Sequence, residues 1–197
     1  SGPDGCDLSY QTEALSGAEM AAGAGLGLAA SAGLGRARRL DDAPGRYIES
    51  VKSSFPRGLR LDGIKIVVDC AHGAAYQVEP HVFHELGAEV ISVGAEPDGL
   101  NINAGTGATH PEFVSGEVRR HSADIGIALD GDGDRLVVAD RDGRTFDGDQ
   151  LLYVIAGDYQ RRRVANGGVV GTLMSNLGFE QALARIGIPL ARAKVGD

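Results

Sequence analysis

The chain has 197 residues, of which 43% are hydrophobic, so it is long enough to bury a core and to form one or two domains. Its formal net charge of -8 argues against binding to nucleic acid, whose phosphates call for a basic surface. The sequence contains neither an export signal nor an apolar run of membrane-spanning length, so we expect a cytoplasmic protein that does not enter a membrane.

The first 40 residues predict a turn followed by an irregular segment. Ser1 to Gly5 has the composition of a turn. Between residues 14 and 35, glycines interrupt an alanine-rich pattern, and each glycine inside a helix costs about 1 kcal/mol relative to alanine. We therefore expect residues 14–35 to form a poorly ordered or irregular linker that contributes little to the core.

Residues 41–143 predict one complete α/β domain. A helix is expected to begin at Asp41-Asp42-Ala43-Pro44, where acidic residues and a proline are typical of a first turn. Strands and helices then alternate, with strands at 64–69, 89–93 and 125–129 and helices at 74–86 and 111–121. This alternation predicts a mixed, mainly parallel sheet flanked by helices. Ligands of such sheets bind beyond the carboxyl ends of the strands, where Asp69 and Asp130 both lie.

Residues 144–197 predict a second, partial α/β unit. It follows a strand at 136–139 and an acidic hairpin turn at 140–143. Asp147 is suited to cap a helix that continues to about residue 163, and Ser175 is expected to cap a helix that continues to residue 186. Strands are expected at 168–172 and 189–193.

The segment 130–135, Asp-Gly-Asp-Gly-Asp-Arg, lies between two apolar runs and is called the acidic loop below. The glycines allow the backbone to curl tightly, so that Asp130, Asp132 and Asp134 can all turn inward on one point. Three carboxylates at such short distances repel one another strongly unless a cation neutralises them. Ligands that are all oxygen favour a hard ion, and Mg²⁺ is the usual one where phosphate is handled.

The acidic loop is open to other interpretations. A simple solvated turn does not need a third aspartate. A calcium-binding hand needs glycine at the sixth and glutamate at the twelfth loop position, which are Arg135 and Arg141 here. The diphosphate-binding Asp-x-Asp motif of a nucleotide-sugar transferase stays open as an alternative.

Residues 69–73 contain a cysteine and a histidine that could be taken for a catalytic pair. No activating partner for Cys70 can be identified, so we interpret the segment as a structural turn between a strand and a helix. The loop at residues 96–110 is long for a compact domain, which favours a functional or inter-domain role.

The acidic loop closely resembles the metal-binding loop of the α-D-phosphohexomutase superfamily, and the similarity continues in order from about residue 35 to the end. Five further segments resemble the bacterial phosphoglucosamine mutase family: residues 35–39, 41–47, 68–75, 97–103 and 147–151. The resemblance implies that residues 1–40 are the tail of a first domain and a linker. Residues 41–143 would then be the metal-binding second domain, and residues 144–197 part of the third.

This family interconverts glucosamine 6-phosphate and glucosamine 1-phosphate for the synthesis of UDP-N-acetylglucosamine and the cell wall. A phosphoserine in the first domain donates its phosphoryl group beside Mg²⁺, which three aspartates of the second domain hold. The resemblance therefore implies Mg²⁺ as cofactor, a phosphohexosamine substrate and an activator of the glucose 1,6-bisphosphate type. Asp130, Asp132 and Asp134 match the metal ligands, and Arg135 matches the arginine expected to bind the substrate phosphate.

Parts of the family pattern are missing. No phosphoserine loop can be found, so no catalytic residue is assigned, and the chain is expected to be an inactive fragment by itself. Thr106 and Ala108 stand where family members often have cysteine and serine. Two alternatives stay open: another phosphohexomutase, or a module that binds metal or sugar phosphate without catalysis. The sequence does not indicate an oligomeric state.

Overall fold

The computed structural model describes residues 40–164 and 167–195. The expected linker at residues 14–35 lies outside these ranges. Within the described part of the chain, no helix is long and apolar enough to cross a membrane.

The larger sheet has five strands: β1 (Lys65–Asp69), β2 (Glu89–Val93), β3 (Ile125–Leu129), β4 (Leu136–Asp140) and β5 (Thr145–Phe146). Their order is β2-β1-β3-β4-β5. β1 is parallel to both β2 and β3, whereas β4 is antiparallel to β3 and β5 is antiparallel to β4. The predicted mixed α/β fold is therefore confirmed, and the predicted acidic turn forms the hairpin between β4 and β5.

Helices cover both faces of this sheet: α1 (Ala43–Ser53), α2 (Glu79–Glu85) and α3 (Pro111–His121). On one face, Val114 and Val118 of α3 pack against Val67 of β1 in a fully buried cluster. Gly126 makes this contact possible, because a Cβ at that position would lie 2.5 Å from the Val118 side chain. On the other face, Ile66 and Val68 pack in a second buried cluster with side chains that include Phe83 of α2. Burial on both faces explains why the centre of β1, residues 66–68, is apolar.

One predicted helix is wrong in its extent. The segment 74–86 does not form a single helix but a 3₁₀ turn at Ala74–Tyr76 followed by α2, which begins at Glu79. Pro80 explains the break, because proline has no N–H to donate and its ring clashes with the preceding turn of a helix. It is tolerated only in the first turn, which is where α2 places it.

The second unit consists of α4 (Gly148–Arg162), β6 (Val169–Thr172), α5 (Leu177–Arg185) and β7 (Leu190–Ala193). β6 and β7 pair in parallel, and Phe179 and Leu183 of α5 form the centre of a small buried cluster. Asp147 caps α4 as predicted, and Gln150 completes a capping box. The predicted cap at Ser175 is wrong by one residue: Asn176 accepts the N–H of Phe179 at 2.7 Å, whereas the Ser175 hydroxyl accepts the N–H of Thr172.

Candidate metal centre

The acidic loop connects β3 to β4 at the carboxyl end of β3. Because β1 runs parallel to β3 beside it, the end of β1 lies at the same edge of the sheet. The loop turns at Gly133, whose φ is +79° and whose N–H donates to the Asp130 carbonyl at 3.1 Å. A side chain is disfavoured at such a φ, which accounts for the second glycine of the motif.

The three aspartates of the acidic loop converge. One carboxylate oxygen from each of Asp130, Asp132 and Asp134 lies within 4.8 Å of the other two. Oxygen ligands on opposite sides of an octahedral Mg²⁺ are about 4.2 Å apart, since each Mg–O distance is about 2.1 Å. Asp132 and Asp134 are exposed and can move by the small remaining difference. The donor set therefore fits a small hard dication, and the identity of the ion stays a prediction.

Asp130 is the fixed member of the group, because its side chain is only 1% exposed and both of its oxygens are bonded. Its Oδ1 accepts the backbone N–H of Arg135 at 3.0 Å, and its Oδ2 accepts from Arg135 Nε at 2.7 Å. Burial by itself would raise the pKa of Asp130, but these two bonds, a hydrogen bond with Asp134 and the charge of Arg135 together outweigh it and lower the pKa to about 2. Asp130 is therefore ionised at neutral pH.

Asp134 responds in the opposite direction. Its hydrogen bond with Asp130, followed by burial and by the charges of Asp130 and Asp132, raises its pKa above the ordinary value. This is the repulsion expected of like charges that share one site. A divalent cation at the point of convergence would favour the ionised form of every carboxylate around it.

Arg135 lies beside these carboxylates. Its Nε is 3.4 Å from Asp134 Oδ1 in addition to its bond with Asp130. The ion pair with Asp130 raises the pKa of the guanidinium, which is charged throughout the ordinary pH range. Its side chain is 62% exposed, so the cation is also accessible from solvent. The predicted contact of Arg135 with a substrate phosphate stays a prediction.

The acidic loop is supported from below by two other segments. The N–H of Ala74 donates to the Gly131 carbonyl at 2.8 Å, and the N–H of Ala108 donates to the Leu129 carbonyl at 2.8 Å. The buried carboxylate of Asp69 bonds to both supporting segments. Burial raises the pKa of Asp69, although these backbone N–H bonds oppose the rise. The sequence predicts that Asp69 lies at this edge of the sheet, but it does not predict the partners of Asp69. The signal for a supporting role is an acidic residue at the end of a buried apolar strand.

Cys70 and His72 do not form a catalytic pair. Cys70 is fully buried, and burial, with the nearby charges of Glu79 and Asp69, raises the pKa of its thiol to about 12. A thiol that stays protonated is a poor nucleophile. The Nδ1 of His72 accepts the backbone N–H of Glu96 at 3.2 Å. Both observations agree with the interpretation of this segment as a structural turn.

Sequence reasoning also missed Glu79, at the start of α2. It lines a groove of about 340 Å³ between α1 and the acidic loop, together with Tyr47, Phe83 and Asp132. Its Oε2 is buried and has no hydrogen-bond partner among the residues that the structure describes. Burial, reinforced by the charge of Asp69, raises the pKa of this carboxyl group to about 8. No pattern in the sequence separates Glu79 from a solvated helix residue, because its burial depends on how α2 packs.

Comparison with known proteins gives a consistent family. Residues 45–143 match the family model described as phosphoglucomutase/phosphomannomutase, alpha/beta/alpha domain II, and residues 147–197 match alpha/beta/alpha domain III of the same family. A solved structure of a phosphoglucomutase/phosphomannomutase family protein from Burkholderia thailandensis superposes with a TM-score of 0.63 at 26% identity. That superposition covers 78% of this chain and 33% of the other.

Two curated relatives, both named phosphoglucosamine mutase, are more similar in sequence. The protein from Azoarcus sp. (strain BH72) is 64% identical over 182 residues, which are 91% of this chain and 40% of that protein. The protein from Methylobacillus flagellatus is 55% identical over 195 residues, which are 99% of this chain and 41% of that protein. The chain thus spans about two fifths of the length of these relatives. By sequence and by fold, it belongs to the phosphoglucomutase/phosphomannomutase family.

Proposed function

We propose that this chain carries the metal-binding part of a phosphoglucosamine mutase. The observation that supports this most directly is the convergence of three carboxylates at a sheet edge, in a chain 64% identical to a protein of that name. Residues 41–143 form the metal-binding domain in this proposal, residues 144–197 belong to the domain that follows, and residues 1–40 belong to the end of the preceding one.

Asp130, Asp132 and Asp134 are the proposed ligands of Mg²⁺. When bound, Mg²⁺ stabilises the negative charge that develops on the oxygens of a transferring phosphoryl group. Asp130 is buried and ionised, so it fixes the position of the ion relative to the sheet. Asp132 and Asp134 are exposed and can adjust to complete the coordination.

Arg135 is the proposed contact for the phosphate of the substrate. Its guanidinium is held on one side by Asp130, while the planar group can still donate several N–H bonds to phosphate oxygens. The proposed substrate is glucosamine 6-phosphate or glucosamine 1-phosphate, with an activator of the glucose 1,6-bisphosphate type. The proposed role is a step in the cytoplasmic synthesis of UDP-N-acetylglucosamine, which supplies the cell wall.

A chimera tests this proposal. In the Azoarcus relative, the matching 182-residue segment is replaced by the corresponding part of this chain. Conversion of glucosamine 6-phosphate is then measured with Mg²⁺ and glucose 1,6-bisphosphate. The chimera is expected to convert the substrate, and Asp132→Asn within it is expected to lower turnover by at least about 100-fold, because one charged group that positions the metal is lost.

Asp142→Asn is the matched control for that substitution. Asp142 is an exposed aspartate in the hairpin turn after β4 and is not one of the three converging carboxylates. This variant should convert the substrate as fast as the unmodified chimera. A folded chimera without activity, or an Asp132→Asn chimera with full activity, would show that the assigned function or the assigned ligand is wrong.

A further inference from the structure

Asp69 is the last residue of β1 and is fully buried. Both of its carboxylate oxygens accept backbone N–H groups: Oδ1 from Ala71 at 3.0 Å and Oδ2 from Gly107 at 2.6 Å. Gly107 is 38 residues further along the chain, so one side chain joins two segments that are distant in sequence. An uncharged amide could not replace it, because asparagine has one acceptor oxygen and its NH₂ group would face a donor.

The first of the two segments, residues 70–74, depends on Asp69 for its shape. Ala71 and His72 have φ values of +53° and +50°, which non-glycine residues rarely adopt. The bond from Ala71 N–H to Asp69 stabilises this turn. As a result, the N–H of Ala74 donates to the Gly131 carbonyl of the acidic loop.

The second segment, residues 103–108, supports the residue that precedes the acidic loop. The N–H of Ala108 donates to the Leu129 carbonyl. At Gly107, a Cβ would lie 2.6 Å from that same carbonyl oxygen, so the segment packs directly against it. The N–H of Asn103 donates to the Ala71 carbonyl at 2.9 Å and ties the second segment to the first.

We propose that Asp69 is a positioning residue for the metal centre, which holds the start of the acidic loop in place through the segments 70–74 and 103–108. Asp69 is not one of the three converging carboxylates. The proposal rests on the proposed role of Asp130, Asp132 and Asp134 as metal ligands. Groups that orient metal ligands from behind typically change metal affinity by about 10–100-fold when they are replaced.

Asp69→Asn in the 197-residue chain tests the proposal with two measurements. Binding of Mn²⁺, a paramagnetic probe for a Mg²⁺ site, is followed by electron paramagnetic resonance. Hydrogen exchange is followed at the amides of Ala74 and Ala108, which donate to the backbone at the acidic loop. The variant should bind Mn²⁺ about 10–100-fold more weakly, and these two amides should lose more protection than the change in global stability explains.

Asp124→Asn is the matched control. The Oδ2 of Asp124 also accepts a backbone N–H, that of Lys65 at 2.9 Å, but at the opposite end of β1. This variant loses a comparable bond in the same sheet, so it should lose stability while Mn²⁺ affinity and the protection of Ala74 and Ala108 stay as in the unmodified chain.

Unchanged Mn²⁺ affinity and unchanged protection of both amides in a folded Asp69→Asn variant would overturn the proposal. If the unmodified chain does not bind Mn²⁺ at the three aspartates, the metal assignment fails separately, and the exchange of the two amides alone decides the role of Asp69. If Asp69→Asn does not fold, Gly107→Ala replaces it. This variant keeps the carboxylate but disturbs the second segment, and unaltered exchange at Ala108 in it would overturn the proposal equally.

Discussion

Replacing Glu79 by glutamine is expected to stabilise the protein progressively more as the pH rises from about 4.5 to about 8, and to change its stability little at lower pH. The carboxyl group has an ordinary pKa of 4.5, and burial raises it to about 8 in the folded chain. The folded state therefore keeps a proton that the unfolded state releases. Between about pH 4.5 and about pH 8 the folded state binds more protons, so the free energy of unfolding falls as the pH rises through this range and then levels off.

The magnitude follows from the difference between the two pKa values. At about 1.4 kcal/mol per pKa unit, that difference corresponds to roughly 3–5 kcal/mol. The position of Glu79 in the first turn of α2 favours its negative charge, but such a helix-end effect is worth only about 0.3–1 kcal/mol. Desolvation therefore dominates. Glutamine cannot ionise, so the variant should be more stable than the unmodified chain by this amount at pH 9.

Urea unfolding of both chains at pH 5.5, 7, 8 and 9 measures the effect. Asp69 also has a raised pKa, and its charge raises the pKa of Glu79, so the difference between the two chains measures Glu79 together with its interaction with Asp69. Glu180→Gln is the matched control, because Glu180 also lies in the first turn of a helix but is exposed and pairs with Arg192. A stability difference that this control reproduces would not be due to burial of the carboxyl group. If the difference in free energy of unfolding between the unmodified and the Glu79→Gln chains does not grow with pH, Glu79 is not a buried neutral carboxyl group.

Three substitutions test packing and helix capping in this fold, and urea unfolding measures each. Gly126→Ala is expected to lower the free energy of unfolding by about 1–3 kcal/mol, because its Cβ would lie 2.5 Å from Val118 in a packed core. Gly116→Ala in α3 should instead raise the free energy of unfolding by about 0.5–1 kcal/mol, because no atom of the described residues lies within 4 Å of its Cβ position. A loss of stability there would contradict the packing described. Asp147→Ala removes the capping box of α4 and should lower the free energy of unfolding by about 0.5–2 kcal/mol. An unchanged value would contradict the capping role of Asp147.

Local signals in the sequence predict much of this fold. The apolar runs of β1 and β3, the helix α3 from Pro111 to His121 and the cap at Asp147 are all as expected, because each depends on residues only a few positions apart. Pro80 is a local signal as well, and it excludes the single long helix expected over it. Predicting Ser175 instead of Asn176 as a cap is the ordinary one-residue uncertainty of helix ends.

The candidate site divides in the same way. The three aspartates alternate within one short loop, so their convergence can be predicted from spacing and glycine content alone. The bonds of Asp69 to Ala71 and Gly107 cannot, because the second partner is 38 residues away and belongs to a loop without regular structure. Burial of Glu79 likewise depends on the surfaces that α1 and the acidic loop present to it.

The order of the strands is the physical link between these observations. β3 has β4 as its antiparallel neighbour on one side, which allows a short acidic loop to connect them. On its other side β3 has β1 as a parallel neighbour, which brings the carboxyl end of β1 to the same edge. The turn that follows β1 therefore lies directly against the acidic loop, so that a Cβ at Gly73 would lie 2.2 Å from the Gly131 carbonyl oxygen. Any side chain at position 73 would move the loop that carries the aspartates, because backbone so closely packed cannot yield locally. The position of the proposed metal thus depends on residues that lie far apart in the sequence. These residues come together only because the sheet places their strands side by side.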